Sequence, residues 1–186
     1  MAISTISQAG LNAPLSLTSP AFAGTPTGVG VLTSGTAVAS TSGTSIDFTG
    51  IPSWVKRVTV MFNGVSTSGT SNIQIQIGAG SVTTTGYVSG AMSTPNVGFP
   101  VITGNVSTGF LCTATTAAAN TRSGLILFSN VTGNTWVSSG NLSQNDNNFN
   151  SNAGTIALGG TLDRVRVTTV NGTDTFDAGS INILYE

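Results

Sequence analysis

The fold class this sequence predicts is all-β: an antiparallel β-sandwich, jelly-roll-like, preceded by an extended N-terminal arm. Three observations predict it. Apolar and polar residues alternate in short runs, most strictly in Ile73-Gln74-Ile75-Gln76-Ile77, and a period of two is the signature of a strand. Turn signals such as Asn63-Gly64 and Asn171-Gly172 separate the runs and supply positive φ angles. Helix-building charge is scarce: of 186 residues one is Lys and one is Glu, and charged residues make up 6%, where about 25% is usual.

Taken along the chain, residues 1–44 form the arm. They are Ala, Ser, Thr, Gly and Pro with few large apolar residues. Pro14, Pro20 and Pro26 recur every six residues, and each fixes φ and biases its predecessor away from helix. A mobile tail is one reading. The reading we prefer is a docking arm, with Ile3, Ile6, Leu11, Leu15, Leu17 and Phe22 lying against a partner. Residues 45–186 form the sandwich. Val58-Thr59-Val60-Met61-Phe62, Val165-Arg166-Val167-Thr168 and Ile181-Asn182-Ile183-Leu184-Tyr185 alternate like the isoleucine run, so each is expected to bury one face and wet the other. Leu125-Ile126-Leu127-Phe128 is apolar on both faces and is expected to be a central strand. Thr135-Trp136-Val137 and Thr155-Ile156-Ala157-Leu158 are weaker strands. Thr113 to Asn120 is the only helix candidate. Asn145 to Asn152 is a low-complexity polar segment expected to be an exposed loop.

The composition excludes several function classes. Five Lys and Arg against six acids leave a net charge of −1, so there is no basic stripe for nucleic acid. No run reaches the 18 or more apolar residues of a membrane span. Met1-Ala2-Ile3-Ser4-Thr5 has neither a basic n-region nor an apolar h-region, so a signal peptide is not expected. A single cysteine cannot form an intrachain disulfide. Low net charge also gives little protection against self-association, which suits a subunit whose surface is covered by partners.

Catalytic chemistry has little to draw on. With no His there is no imidazole base, no Ser-His-Asp triad and no His metal ligand. Cys112 has no cationic sequence neighbour to lower its pKa and reads as a small core residue. Asp174 and Asp177 stand three apart, which on a strand sends them to opposite faces; they read as turn and strand-end residues, with a weak calcium site as the lesser alternative. Gly78-Ala79-Gly80 lacks the Lys of a phosphate loop and reads as a turn. The N-x-[ST] sequons, Asn105, Asn130, Asn141 and Asn171, are matches that so Asn-, Ser- and Thr-rich a chain produces by chance. Arg164 and Arg166 share a strand face and could pair with Asp47 or Asp163, or with another subunit. Trp54, after the proline corner Ile51-Pro52-Ser53, is expected in the core; Trp136 reads as core, with a sugar-stacking platform as the alternative. No catalytic, cofactor-binding or metal residue is expected.

The run Ile46-Asp47-Phe48-Thr49-Gly50-Ile51-Pro52-Ser53-Trp54-Val55, continuing through Val65-Ser66, resembles a module of tailed-bacteriophage virion proteins. So do Thr84-Thr85-Gly86-Tyr87 and Ser107-Thr108-Gly109-Phe110. The closing run, from Leu162-Asp163-Arg164-Val165-Arg166-Val167 through Asn171-Gly172-Thr173-Asp174-Thr175-Phe176-Asp177 to Glu186, is the most specific. Ile6-Ser7-Gln8 and Leu15-Ser16-Leu17-Thr18-Ser19-Pro20 are similar, more distantly, to leaders of phage fibre and head-fibre proteins. The resemblance implies a non-enzymatic virion component and a homotrimer. The expected function is a capsid decoration (cement) protein or short head fibre on the outside of the virion, with the major capsid protein as partner and the arm as attachment. The alternative is a tail-fibre tip whose loop residues Asn145, Asp146, Asn147, Asn148 and Asn150 contact a host surface glycan. The chain lacks the long repetitive shaft of a full tail fibre.

Overall fold

A computed structural model describes residues 32–94, 101–114 and 117–186. The arm residues Ile3, Ile6, Leu11, Leu15, Leu17 and Phe22 lie outside them. The first seven strands are β1 Thr33–Ser34, β2 Val38–Ala39, β3 Ser45–Thr49, β4 Arg57–Thr67, β5 Ile73–Ala79, β6 Ser81–Val82 and β7 Val88–Thr94. The other seven are β8 Ile102–Val106, β9 Phe110–Leu111, β10 Arg122–Thr132, β11 Thr135–Gln144, β12 Phe149–Ala157, β13 Arg164–Thr169 and β14 Phe176–Tyr185. No helix occurs among the described residues, and those of the 113–120 segment form a turn.

The strands make an antiparallel β-sandwich of unequal layers. The large sheet runs β1-β14-β4-β10-β11-β12-β7-β8, with β2 also paired to β14. The small sheet runs β3-β13-β5-β6, with β9 also paired to β5. Alternation puts Val58, Val60 and Phe62 of β4 and Ile126 and Phe128 of β10 on the inner face of the large sheet. Ile73, Ile75 and Ile77 of β5 and Val165 and Val167 of β13 come from the small one. Phe110 fills the middle, edge-on to Tyr87 at 5.0 Å and tilted against Phe128 at 5.1 Å. Each such side chain, fully buried, contributes about 1.5–3 kcal/mol of transfer free energy.

Two glycines let the large sheet bend where its register shifts. Gly124 (φ 144°) sits at the bulge between β10 and β4, its Cα so near β11 that a Cβ would stand 2.3 Å from the Asn141 carbonyl. Gly179 (φ 89°) does the same on the other flank of β4, where a Cβ would meet the Gly64 carbonyl at 2.4 Å. Both are conformations that L side chains resist.

Several expectations need correction. Residues 33–34 and 38–39, read as arm, already pair into the large sheet: Thr33 of β1 stands opposite Tyr185, and Val38 of β2 opposite Ile181. The glutamines of β5 are not wet. Gln74 and Gln76 are buried beneath the 107–109 segment; their amides donate to the carbonyls of Thr169 and Thr108, and Gln74 accepts the Thr108 hydroxyl. Leu125 is exposed, although β10 is indeed central, between β4 and β11. Trp54 is not core. The Pro52–Val55 turn sends Ile51 and Val55 inward and leaves Trp54 49% exposed, tilted against Tyr185 at 6.1 Å. Trp136 and Cys112 are buried, as expected.

Candidate functional site

The residues proposed for a receptor loop fall into two groups. Asn145, Asp146, Asn147 and Asn148 make the β11–β12 turn, closed by the Gln144 N–H donating to the Asn148 carbonyl. Asn147 takes a left-handed φ of 66°, which asparagine tolerates. The Asp146 carboxylate accepts from the Asn148 backbone and side chain, from Gln144 and from Asn120, so it is an internal tie. Asn150 does not belong with them, and with Asn152 it corrects the expectation of an exposed loop. Both are buried on β12, facing inward; Asn150 accepts the Ser93 hydroxyl and donates to Gln144, and Asn152 donates to the Leu111 carbonyl. Hydropathy alone cannot reveal this, because buried asparagine is admissible only once its partners are in place.

The charged side chains pair locally. Arg166 Nε and Nη2 grip the two oxygens of Asp47 at 2.7 and 3.2 Å, directly across β13 and β3. Arg164 grips its neighbour Asp163 in the same bidentate way and holds that carboxyl below its ordinary pKa. Arg57 meets Glu186 at 2.9 Å. Asp174 accepts the Ser71 N–H and the Asn171 amide in the turn before β14, while Asp177 accepts the Ser66 hydroxyl, so the two carboxylates serve different partners. Among the described residues no three His, Cys, Asp or Glu gather as a metal site.

Three buried titratable groups line the interior. Burial raises the Cys112 thiol well above its ordinary pKa. It pushes Tyr87 up to about 12; its hydroxyl accepts the Ile77 N–H and lies within donating distance of the Ile77 and Thr83 carbonyls. Arg122, fully buried at the start of β10, is brought down to about 10 by burial, with Asp146 the largest opposing influence. It donates through Nη1 to the Asn120 carbonyl, while Nε and Nη2 have no hydrogen-bond partner. Sequence reading passed over Arg122, since an isolated arginine among Thr and Ser resembles a surface residue.

Among the described residues, the outer face of the large sheet gathers several exposed apolar side chains. Register places Asn182, Met61, Leu125 and Asn141 in one row and Leu184, Thr59, Leu127 and Ser139 in the next. Val137, Thr155 and Val88 continue across β11, β12 and β7. Five of the large apolar residues that the described chain exposes sit here: Val88 (71%), Leu125 (52%), Phe149, Met92 and Val137. The first two rows carry no charge; Arg57, opposite Ser129, stands on the row of Val137 and pairs there with Glu186. Toward β8 the face opens into a hollow of about 830 Å³, bordered by Val88, Gly90, Asn105, Ala153 and Thr155.

No protein-family model matches the sequence, and no curated protein and no solved structure is significantly similar to it.

Proposed function

We propose that the chain is a non-enzymatic structural subunit of a tailed-bacteriophage virion: a homotrimeric capsid decoration protein or short head fibre. The sandwich forms the projecting knob, and the N-terminal segment attaches it to the major capsid protein. The observation that carries this reading is the outer face of the large sheet, broad and poor in charge, with the Arg57–Glu186 pair on one row and uncharged residues on the two rows beside it. A free monomer guards its sheets with charge. This chain instead presents Ser, Thr, Asn and scattered aliphatic residues, which suit a surface that another subunit covers. The resemblance of residues 45–186 to phage virion modules supports the same reading. Decoration stabilises a shell by mass action: a ligand that binds only the assembled lattice shifts the equilibrium toward it. Many copies, each weakly held, add up through multivalency.

The test is cosedimentation of the purified protein with emptied, undecorated capsids of the phage that encodes it. Saturable pelleting at a fixed ratio to the capsid subunit is the expected result. Absence of pelleting, with saturable binding to host cells, overturns it in favour of a tail-fibre tip reading glycan through the Asn145–Asn148 turn.

A further inference from the structure

We propose that Arg122 holds a small carboxylate-like oxyanion inside the sandwich, gripped side-on by its Nε–H and Nη2–H groups. The proposal stands apart from the virion role, which the capsid test decides.

The first observation is an unpaired fork. Arg122 is fully buried at the start of β10, between Val65 of β4 and Gln144 of β11 by register. Its Nη1 donates to the Asn120 carbonyl at 3.0 Å, while Nε and Nη2 have no partner. Those two nitrogens form one edge of the planar guanidinium, the edge that matches the two oxygens of a carboxylate. The other arginines use that edge in this way. Arg164 sets Nε at 2.7 Å and Nη2 at 3.2 Å on the two oxygens of Asp163, and Arg166 repeats the geometry on Asp47. Arg57 sets its Nε on Glu186 at 2.9 Å. Of the four arginines, Arg122 is the one whose fork holds no carboxylate.

The second observation is that the chain has no carboxylate left to supply. Its six acids all lie among the described residues; none falls within 1–31, 95–100 or 115–116. Three are on the other arginines. Asp174 receives Ser71 and Asn171, and Asp177 receives Ser66. Asp146 is the acid that acts most on Arg122, yet its oxygens receive Gln144, Asn120 and Asn148. Glu186 ends the chain beside Arg57, at the other end of β4 from Val65. A counter-charge for Arg122 therefore comes from outside the chain.

Burial sets its size. A guanidinium with no exposed surface admits an ion of a few atoms, such as formate, nitrate or bicarbonate, rather than a partner's side chain. Water can satisfy two N–H groups but brings no charge, and an unpaired buried charge costs far more than a missing hydrogen bond. The lowering of the Arg122 pKa to about 10 by burial agrees with a charge that Asp146 does not offset.

Sodium formate is the probe, with sodium chloride at equal ionic strength as reference, on the full-length protein. In urea unfolding, the folding constant of the wild type should rise with formate and not with chloride. A site of about 1 mM affinity raises it about a hundredfold at about 100 mM ligand. Arg122→Met keeps an apolar stem in place and removes the fork, so it should lose the formate response. It should also be no less stable than the wild type in chloride, because the unpaired charge is gone. The wild type supplies a test that needs no variant. Of its four arginine Nε–H resonances in isotope-labelled protein, the one assigned to Arg122 should shift in formate, while the three paired arginines stay in place. Equal urea midpoints in the two salts overturn the proposal. So does an Arg122 resonance that formate leaves unmoved, or a folded Arg122→Met variant that still responds.

Discussion

The small sheet turns outward Arg166 clamped on Asp47, Arg164 clamped on Asp163, and two glutamines covered by the 107–109 segment. The large sheet turns outward rows of Ser, Thr and Asn interrupted by Leu125, Val137, Val88 and Met92. Both inner faces contribute to one apolar core, with buried polar residues such as Arg122, Asn150 and Asn152 at the β10–β12 end of the large sheet. One outer face has its polar groups satisfied within the chain. The other leaves apolar area exposed among the described residues. Substitutions should therefore be felt differently on the two sides, and the predictions run from the largest effect to the smallest.

The largest effect lies within the large sheet's backbone. Gly124→Ala places a methyl 2.3 Å from the Asn141 carbonyl at a φ of 144°, and neither the β10 bulge nor β11 can yield without breaking the ladder. We expect a loss of about 3 kcal/mol, and with it disruption of the outer face, read as a lower denaturation midpoint in urea. A loss below about 0.5 kcal/mol would mean that the sheet shifts freely there.

Next in size is pH, where both outer faces should be silent and the interior should speak. The chain has no His, so no side chain with an ordinary pKa between 5 and 8 exists, and stability should be flat across that range. Cys112 and Tyr87 have folded pKa values raised above the unfolded ones. Their contribution is complete below the unfolded values and is lost as pH rises, from about 9 for the thiol and about 10 for the phenol. For Tyr87, from about 10 to about 12, the loss reaches about 3 kcal/mol. Arg122 has the opposite sign: its folded pKa is lowered to about 10, so its destabilising charge is relieved as pH rises beyond that value. Urea midpoints should accordingly hold from pH 5 to 8 and fall above 9, and Cys112→Ala should delay the onset. A decline already present at pH 7 would contradict this account.

The third contrast compares polar residues on the two outward sides. Gln74→Leu strands the Thr108 hydroxyl and the Thr169 carbonyl in a buried place and should cost about 2 kcal/mol. Ser139→Val, on the outer face of the large sheet, touches no buried hydrogen bond and should stay within about 0.5 kcal/mol. Equal costs would erase the distinction between a satisfied face and an open one.

These same residues show what sequence can and cannot reveal. Val58 to Phe62 and Ile181 to Leu184 alternate in the chain and alternate in burial, because a half-buried strand writes its geometry directly into hydropathy. Gln74 and Gln76 broke that rule, since the cover over them comes from residues more than thirty positions away. Ser138 to Asn152 had no apolar signal, yet most of it is strand, held by pairing with β10 and β7 on either side. Asn150 and Asn152 are buried because Ser93, Gln144 and Leu111 meet them, and such partnerships exist only after folding. The open face was half legible. Its scarcity of charge is composition, but only register reveals that Leu125, Val137 and Val88 share one side, with Arg57 among them.

The smallest effect separates charge that supports the fold from charge that guards a surface. Arg166→Gln breaks the bidentate pair with Asp47, both side chains being about a third exposed. Water and salt screen such a pair, so its removal should cost only about 0.5 kcal/mol, less still at high ionic strength. What it does alter is the small sheet's outer face, which then carries Asp47 unpaired. If charge on that face guards against self-association, the variant should keep the wild-type sedimenting mass, since one unpaired carboxylate repels its copy as well as the pair excluded it. Arg166→Leu with Asp47→Leu instead leaves the small sheet's outer face with one ion pair, Arg164–Asp163, as the large sheet has Arg57–Glu186. That double variant should form higher oligomers in sedimentation at a nearly unchanged denaturation midpoint. If it sediments like the wild type, the pair has no guarding role, and charge distribution ceases to explain why the two faces differ.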